Sequence, residues 1–211
     1  MEFYSEIQKK VKLYNIPDDL IVNFDQTNVK TIPVGDYTLD KVGSKQVPLL
    51  GLEDKSQITV LLASTLSSKM LPPQVIYQGK TEMCHPKYEF PEGWDITHSE
   101  SHWSTEETML RYADKVIIPY FESVMENYPI KSNIKPLCIF DVFAAHRTES
   151  FLDKLKDNDI KYRFVPASCT GELQPLDLSG NDEFKTKVRE SFVNWYSDEI
   201  NKELNKMSKS I

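Results

Sequence analysis

The stretch that decides the fold is PLCIFDVFAAHR, at residues 136–147. It begins with a proline, continues through four apolar residues, Leu137 to Phe140, and then reaches a carboxylate, Asp141. A short apolar run bounded in this way is typical of a buried strand. The pattern therefore predicts that Asp141 stands where this strand reaches the edge of a sheet.

Two other aspartates occupy comparable positions in the chain. Asp25 follows the run LIVNF at residues 20–24, and Asp177 follows LQPL at residues 173–176, ahead of the last predicted helix. Each acid taken alone is more simply explained as a turn or cap residue. Three together suit hard divalent cations, which prefer oxygen ligands, and like charges this close need such ions between them. We therefore expect a single metal site.

The remaining pattern predicts a mixed α/β domain. Strands are expected at residues 20–24, 45–50, 57–66, 74–78, 137–140 and 160–165. Helices are expected at residues 3–14, from Ser104 onward, near 151–155 and after 180. The helix that begins near Ser104 is expected to kink at Pro119. A capping box is expected from Ser104 to Glu107. Residues 82–103 have no period and are predicted to form a long loop insertion. This order of elements, with the three acids, is that of an α/β ribonuclease H-like mixed sheet flanked by helices.

Composition restricts the class of protein. A chain of 211 residues with 40% hydrophobic content forms one domain with a real core. Three widely spaced cysteines without a CxxC pair favour a reducing compartment. No apolar run approaches the roughly 20 residues that cross a bilayer, so a soluble intracellular protein is expected. Neither GxGxxG nor GxxxxGK[ST] occurs, so no nucleotide cofactor is expected.

The net charge of -7 is confined to one part of the chain. Residues 82–126 contain ten acids against three basic residues, and the rest of the chain is neutral in sum. A neutral or basic face elsewhere is therefore compatible with the composition. The charge does not exclude a DNA substrate.

Several stretches together resemble the catalytic core of the eukaryotic DDE transposases of the pogo, Tigger and jerky kind, within the mariner superfamily, whose derivatives include centromere protein B. The resemblance extends from about residue 19 to about residue 189. The matching stretches are IVNFDQT at 21–27, GSK at 43–45, DKSQIT at 54–59, LPP at 71–73, IYQGKT at 76–81, Trp103 with the helix up to residue 120, FDVFAAHR at 140–147, FVPASCT at 164–170 and LQPLD at 173–177.

The resemblance implies that Asp25, Asp141 and Asp177 are the catalytic acids and hold two Mg²⁺ or Mn²⁺ ions. The implied chemistry is hydrolysis of a DNA strand at a transposon end, followed by attack of the new 3′-hydroxyl on target DNA. DNA is the implied partner, a homodimer is a candidate assembly, and the nucleus is the implied location. The expected layout is a helical lead-in at 1–18, the DDE endonuclease domain at 19–205 and a tail at 206–211.

Neighbouring residues have candidate secondary roles. His146 is a candidate for orienting a water or contacting a phosphate, and Arg147 for neutralising a phosphate. Both are equally explained as residues that support a ligand or cap a helix. Lys45, Lys55 and Lys80 are candidates for lining the DNA path, although solvated surface lysines are the simpler interpretation.

Residues 84–103 raise two further questions. Cys84, His85, His98 and His102 include ligand types for zinc, but only His98 and His102 have a zinc-finger spacing, so a zinc site is not predicted. Trp94 and Trp103 are interpreted as covering the core rather than stacking on bases.

Two departures from the family pattern leave alternatives open. The helix-turn-helix region expected ahead of the core does not precede it in this sequence, and Asp182 and Glu183 stand where a neutral or basic residue is expected to face DNA. The alternative is a domesticated, catalytically silent fragment that binds DNA or protein. Retention of all three acids favours the endonuclease. An unrelated α/β phosphohydrolase would explain the acids but not the matching stretches.

Overall fold

The computed structural model describes residues 2–32, 57–128, 134–167, 176 and 180–208. The predicted strand at 45–50 and the candidates Lys45, Lys55 and Asp177 lie outside these residues. The strands are β1 Ile21–Lys30, β2 Gln57–Thr65, β3 Gln74–Gln78, β4 Asp95–Ser99, β5 Leu137–Phe140 and β6 Lys161–Phe164. The helices are α1 Glu2–Tyr14, α2 Glu106–Tyr112, α3 Ile118–Met125, α4 Glu149–Asp157 and α5 Asn181–Ser208.

Within the described ranges the strands form one mixed sheet in the order β4-β3-β2-β1-β5-β6. β1, β2 and β3 pair antiparallel in sequence, whereas β5 joins β1 in parallel and β6 joins β5 in parallel. β4 pairs in parallel with β3 at one edge. Antiparallel pairing thus joins the three strands β1, β2 and β3, and parallel pairing adds β5 and β6 on one side and β4 on the other.

Helices cover both faces of this sheet. The side chains of Val22 and Phe24 belong to the larger core cluster, which also contains residues of α2, α3 and α4. Alternate residues on the other face form a smaller cluster that includes Leu62 and Leu176, against which Phe184 and Val188 of α5 pack. Because successive side chains on a strand point to opposite faces, Asn23 and Asp25 lie on the α5 face.

Two predictions about strands need correction. β1 does not end before Asp25 but continues to Lys30, because its antiparallel pairing with β2 extends as far as Lys30 opposite Gln57. The predicted loop insertion at 82–103 contains β4, whose five backbone positions pair with β3. Its sequence, DITHS, has one strongly apolar residue, so pairing rather than hydrophobic periodicity defines this strand.

The helix after Ser104 also differs in detail. Its N-cap is Thr105, in a reciprocal capping box with Thr108, and not Ser104 with Glu107. The irregularity expected at Pro119 takes the form of a π turn at Ala113–Ile117, between α2 and α3. A proline ring with no N–H cannot continue a regular α-helical bond, and the wider turn precedes it directly.

The other predicted helices and strands of the described residues are present, with shifts of one or two residues at their ends. α5 continues to Ser208, beyond the boundary expected at residue 205. None of the helices in the described ranges is long and apolar enough to cross a bilayer.

Candidate active site between strands β1 and β5

The parallel register of β1 and β5 brings two of the three predicted acids to the same level of the sheet. Asn23 is the partner of Ile139. Asp25 stands two residues further along β1, and Asp141 follows the last residue of β5, two positions after Ile139. The side-chain amide of Asn23 donates to the carbonyl oxygen of Ile139 over 2.9 Å, and the rings of Phe24 and Phe140 stack with centroids 4.7 Å apart. These contacts join the strands directly before the two carboxylates.

Asp25 is nearly buried, with 6% of its surface exposed. Nδ2 of Asn181, in the first turn of α5, donates to Oδ2 of Asp25 over 2.7 Å. The backbone N–H of Leu176 donates to Oδ1 of Asn23 over 3.3 Å. Leu176 and Asn181, which stand on either side of Asp177 in sequence, therefore both contact β1.

A cleft of about 510 Å³ opens beside these residues. Asn23, Ile139, Leu176, Gly180 and Glu183 contribute to its lining. It lies on the α5 face, next to the carboxylate-bearing strands. Two of its lining residues, Asn23 and Ile139, stand two positions before Asp25 and Asp141.

Asp141 is held by hydrogen bonds to one oxygen. Nδ1 of His146 lies 2.7 Å from Oδ1 of Asp141, and the backbone N–H of Phe143 donates to the same oxygen over 3.2 Å. Burial alone would raise the pKa of Asp141, but these hydrogen bonds outweigh it, so the pKa lies below its ordinary value. The carboxylate is therefore ionised at neutral pH, which is the form that binds a cation.

His146 supports Asp141 rather than facing DNA. Its side chain is fully buried, and its ring packs edge-on against Phe24 and Phe140. The side-chain amide of Gln26 contacts the other ring nitrogen, Nε2, over 2.9 Å. Because the amide nitrogen is a donor, Nε2 accepts, and a neutral ring places its proton on Nδ1 toward Asp141. The candidate role of His146 as a phosphate contact is wrong for this structure, since no part of the ring reaches solvent.

Two of the basic candidates, Arg147 and Lys80, lie within the described residues. Arg147 is exposed and adjoins the buried His146. Lys80 follows β3, two strands from β1, and its ammonium pairs with Glu100 over 3.2 Å with both side chains exposed. Trp94 and Trp103 are 39% and 47% exposed and lie outside both core clusters, so the prediction that they cover the core is wrong.

Sequence reasoning missed the polar residues that hold the acids. Asn181 stands four residues after Asp177, which is one helical turn, and this spacing was the available signal for a residue on the same face. Gln26 directly follows Asp25, so its side chain points to the opposite face, toward His146. Asn23 precedes Asp25 by two positions and shares its face. Their partners are 116 or more residues away in sequence, which no local pattern reveals.

The donor set fits a hard divalent cation. Asp141 is an ionised carboxylate, and its hydrogen bonds to described residues go to Oδ1 and the backbone oxygen. Asp25 lies at the same level of the neighbouring strand. Carboxylate oxygens are the ligands that Mg²⁺ and Mn²⁺ select, and hydrogen-bond donors behind them, such as Asn181 and His146, orient such ligands.

Comparison with known proteins shows consistent similarities. The family model described as DDE superfamily endonuclease matches residues 55–210. The human protein named Pogo transposable element with KRAB domain is 25% identical over 174 residues, which are 82% of this chain and 27% of that protein. The chain thus spans about a quarter of that relative's length.

Solved structures show the same fold. The pre-cleavage Mos1 transpososome matches with a TM-score of 0.54 at 10% identity, covering 93% of this chain and 52% of that chain. The Mos1 mariner paired-end complex with Mn matches with a TM-score of 0.52 at 12% identity, covering 92% and 51%. The predicted ribonuclease H-like mixed sheet with flanking helices is confirmed.

Proposed function

Because this chain belongs to the DDE superfamily endonuclease family, we propose that it is a metal-dependent DNA endonuclease and strand-transfer core. Asp25, Asp141 and Asp177 are its three catalytic acids in this proposal. The observation that carries it is the register of β1 and β5, which brings Asp25 and Asp141 to one level of the sheet. The family pattern supplies the third acid.

The placement of Asp177 in the triad is supported by its neighbours. Leu176 and Asn181 contact Asn23 and Asp25, two residues that share one face of β1. Consecutive Cα atoms are 3.8 Å apart, so the intervening chain is short. These two contacts support Asp177 as the third acid of the proposed triad.

The three carboxylates would hold two Mg²⁺ or Mn²⁺ ions. Bound there, such ions activate a water or a 3′-hydroxyl and stabilise the leaving oxygen of a phosphodiester. The Mos1 complex with Mn supports this choice of metal. The residues of the chain supply the fixed geometry, because Asn181 orients Asp25 while His146 and Phe143 orient Asp141.

Gln26 and His146 position the carboxylate of Asp141 through two successive hydrogen bonds. The amide of Gln26 holds the ring through Nε2, and Nδ1–H directs the proton at Oδ1 of Asp141. The ring is packed among Phe24, Phe140 and Phe143, which restricts its rotation. The carboxylate of Asp141 is therefore held in one orientation without a bound metal.

DNA is the proposed partner and a homodimer is the proposed assembly; the structural neighbours include the Mos1 mariner paired-end complex with Mn. Arg147, exposed beside His146, is positioned to neutralise a phosphate. Lys45, Lys55 and Lys80 remain candidates for the DNA path; Lys80 follows β3, two strands from β1. A DNA substrate implies nuclear action. The proposed domain begins at about residue 19, and its last helix, α5, extends to Ser208, past the limit of 205 expected from the sequence.

Nicking of supercoiled plasmid DNA tests this function. The chain is incubated with Mg²⁺ or Mn²⁺, beside Asp141→Asn and, as a matched control, Asp157→Asn, which removes an exposed acid at the end of α4. We expect metal-dependent nicking that Asp141→Asn abolishes and Asp157→Asn retains. Metal binding without nicking under any condition would overturn the endonuclease and favour the silent DNA- or protein-binding module.

A further inference from the structure

Three side chains of metal-ligand type meet at the edge of the sheet far from the carboxylates. Cys84 and His85 come from a short 3₁₀ turn after β3, and His98 comes from β4. Cys84 Sγ and one nitrogen of each imidazole all lie within 4.8 Å of one another. Nε2 of His85 and Nδ1 of His98 are 3.1 Å apart.

The backbone builds this cluster through defined contacts. The N–H of Cys84 donates to the carbonyl of Thr81 over 3.1 Å, and this turn folds the chain back toward β4. His98 stands opposite Tyr77 in the parallel register of β3 and β4. The cluster therefore joins the start of the β3–β4 connection to the strand at its end.

Gly79 makes room for the thiol. A Cβ at this position would lie 2.6 Å from both Cβ and Sγ of Cys84, which is closer than real contacts allow. The backbone N–H of Gly79 donates to the carbonyl of Ser99, so the glycine is itself fixed to the end of β4. The close approach places the sulfur over the backbone, beside the two imidazoles.

The spacing of the donor atoms is close to that of a tetrahedral zinc site. Zn–N bonds of about 2.0–2.1 Å place two nitrogen ligands roughly 3.3 Å apart, and Zn–S bonds of about 2.3 Å place sulfur roughly 3.6 Å from each nitrogen. The two imidazole nitrogens are already within a few tenths of an ångström of this value. The sulfur reaches it with a side-chain adjustment of about 1 Å or less.

Zinc binding requires particular protonation states of these donors. A neutral imidazole is the form that ligates a metal. The thiol releases its proton on binding, so affinity increases with pH.

We propose that Cys84, His85 and His98 form a zinc-class metal site, with a water as the fourth ligand. A thiolate with two imidazoles selects zinc over Mg²⁺, which prefers oxygen ligands. The site is separate from the carboxylates, since β2 lies between β3 and the acid-bearing β1. A metal bound there would fasten the turn at 82–85 to β4, the edge strand of the sheet.

The test is a titration of the metal-free chain with Zn²⁺, and with Co²⁺ as a spectroscopic probe for a thiolate ligand. Cys84→Ser and His98→Gln each remove one ligand. His102→Gln is the matched control, because His102 stacks on Trp103 and contacts Thr59 outside the cluster. Asp141→Asn is the second control, since it alters only the proposed oxygen-ligand site.

We expect one equivalent of Zn²⁺ bound tighter than about 1 μM, with a cobalt–thiolate absorption band. Each ligand variant weakens binding by at least about a hundredfold, which exceeds the usual effect of an outer-shell partner, while both controls bind as the wild type does. Zinc also raises the Tm of the wild-type chain, which tests the site even where a variant fails to fold. Three results would each overturn the proposal. The first is Zn²⁺ binding that persists in Cys84→Ser and is lost in Asp141→Asn. The others are the absence of a cobalt–thiolate band and a Zn²⁺ affinity weaker than about 1 μM.

Discussion

Nδ2 of Asn181 lies 2.7 Å from Oδ2 of Asp25, and both side chains are nearly buried. Asn181 belongs to the first turn of α5 and Asp25 to the middle of β1, 156 residues apart in sequence. This hydrogen bond fixes the start of α5 to the strand that carries the first acid. It also shows how the region around Asp177 is tied to the sheet, because Leu176 contacts Asn23 on the same face.

Replacing Asn181 with Ala is expected to weaken the proposed metal site. A buried carboxylate that loses a hydrogen-bond donor is less well oriented, and outer-shell losses of this kind cost roughly 10- to 100-fold in metal affinity. The measurement is calorimetric titration with Mn²⁺. Asn194→Ala, at an exposed position of the same helix, is the control and is expected to bind normally. Unchanged affinity in Asn181→Ala would show that the hydrogen bond does not serve the site.

The lowered pKa of Asp141 predicts part of the acid sensitivity of the fold. Its folded pKa is below the ordinary 3.8, so its contribution to stability is present above that pH and is lost as pH falls through the lowered value. In urea unfolding between about pH 5 and pH 2, Asp141→Asn is expected to show a shallower loss of unfolding free energy than the wild type. Identical pH dependence in both chains would contradict this.

The aromatic cluster beneath the acids is expected to be a main source of stability. Phe140 is fully buried and contacts Phe24, His146 and Phe151. Phe140→Ala should reduce the free energy of unfolding by about 3–5 kcal/mol, through lost transfer energy and the cavity left behind. Chemical denaturation provides the measurement. Trp195→Ala, at a position 57% exposed, should change it by less than about 0.5 kcal/mol.

Asp95 is expected to hold β4 against α2. This buried carboxylate accepts from Nε of Arg111 over 2.7 Å and from the amide of Gln74 over 2.7 Å, and Lys115 lies 3.3 Å away. Asp95→Asn should reduce the free energy of unfolding by about 1–3 kcal/mol. The loss stays in this range because the side chains of Arg111 and Lys115 are partly exposed and regain water. Hydrogen exchange at the amides of β4 should accelerate. Exposed Glu92→Gln is the control, and equal exchange in both variants would rule out this anchoring role.

The central strand β5 could be predicted from sequence because four apolar residues between a proline and an acid leave few alternatives. The full length of β1 could not be predicted from the sequence, because Asn23, Asp25 and Thr27 are polar residues that are nevertheless buried. The antiparallel pairing with β2 continues past them. β4 was missed because ion pairs to Asp95 and backbone pairing define it.

From the sequence, the candidate site was predicted in its acids and in one of the two interpretations given for His146, that of supporting a ligand. Family-like stretches pointed to Asp25 and Asp141, and the structure brings these two to the same level of neighbouring strands. Their supporting groups, His146, Gln26 and Asn181, depend on tertiary contacts between distant segments. The approach of Cys84 and His85 to His98 likewise depends on the β3–β4 pairing and not on a recognisable spacing.

The most direct test of the metal-dependent endonuclease is Mn²⁺ binding to the wild type and to Asp25→Asn, Asp141→Asn and Asp177→Asn, with exposed Asp182→Asn as the matched control. The account predicts that each of the three triad variants binds Mn²⁺ at least about tenfold more weakly, while Asp182→Asn binds as the wild type does. Equal Mn²⁺ affinity in the wild type and the triad variants would contradict it.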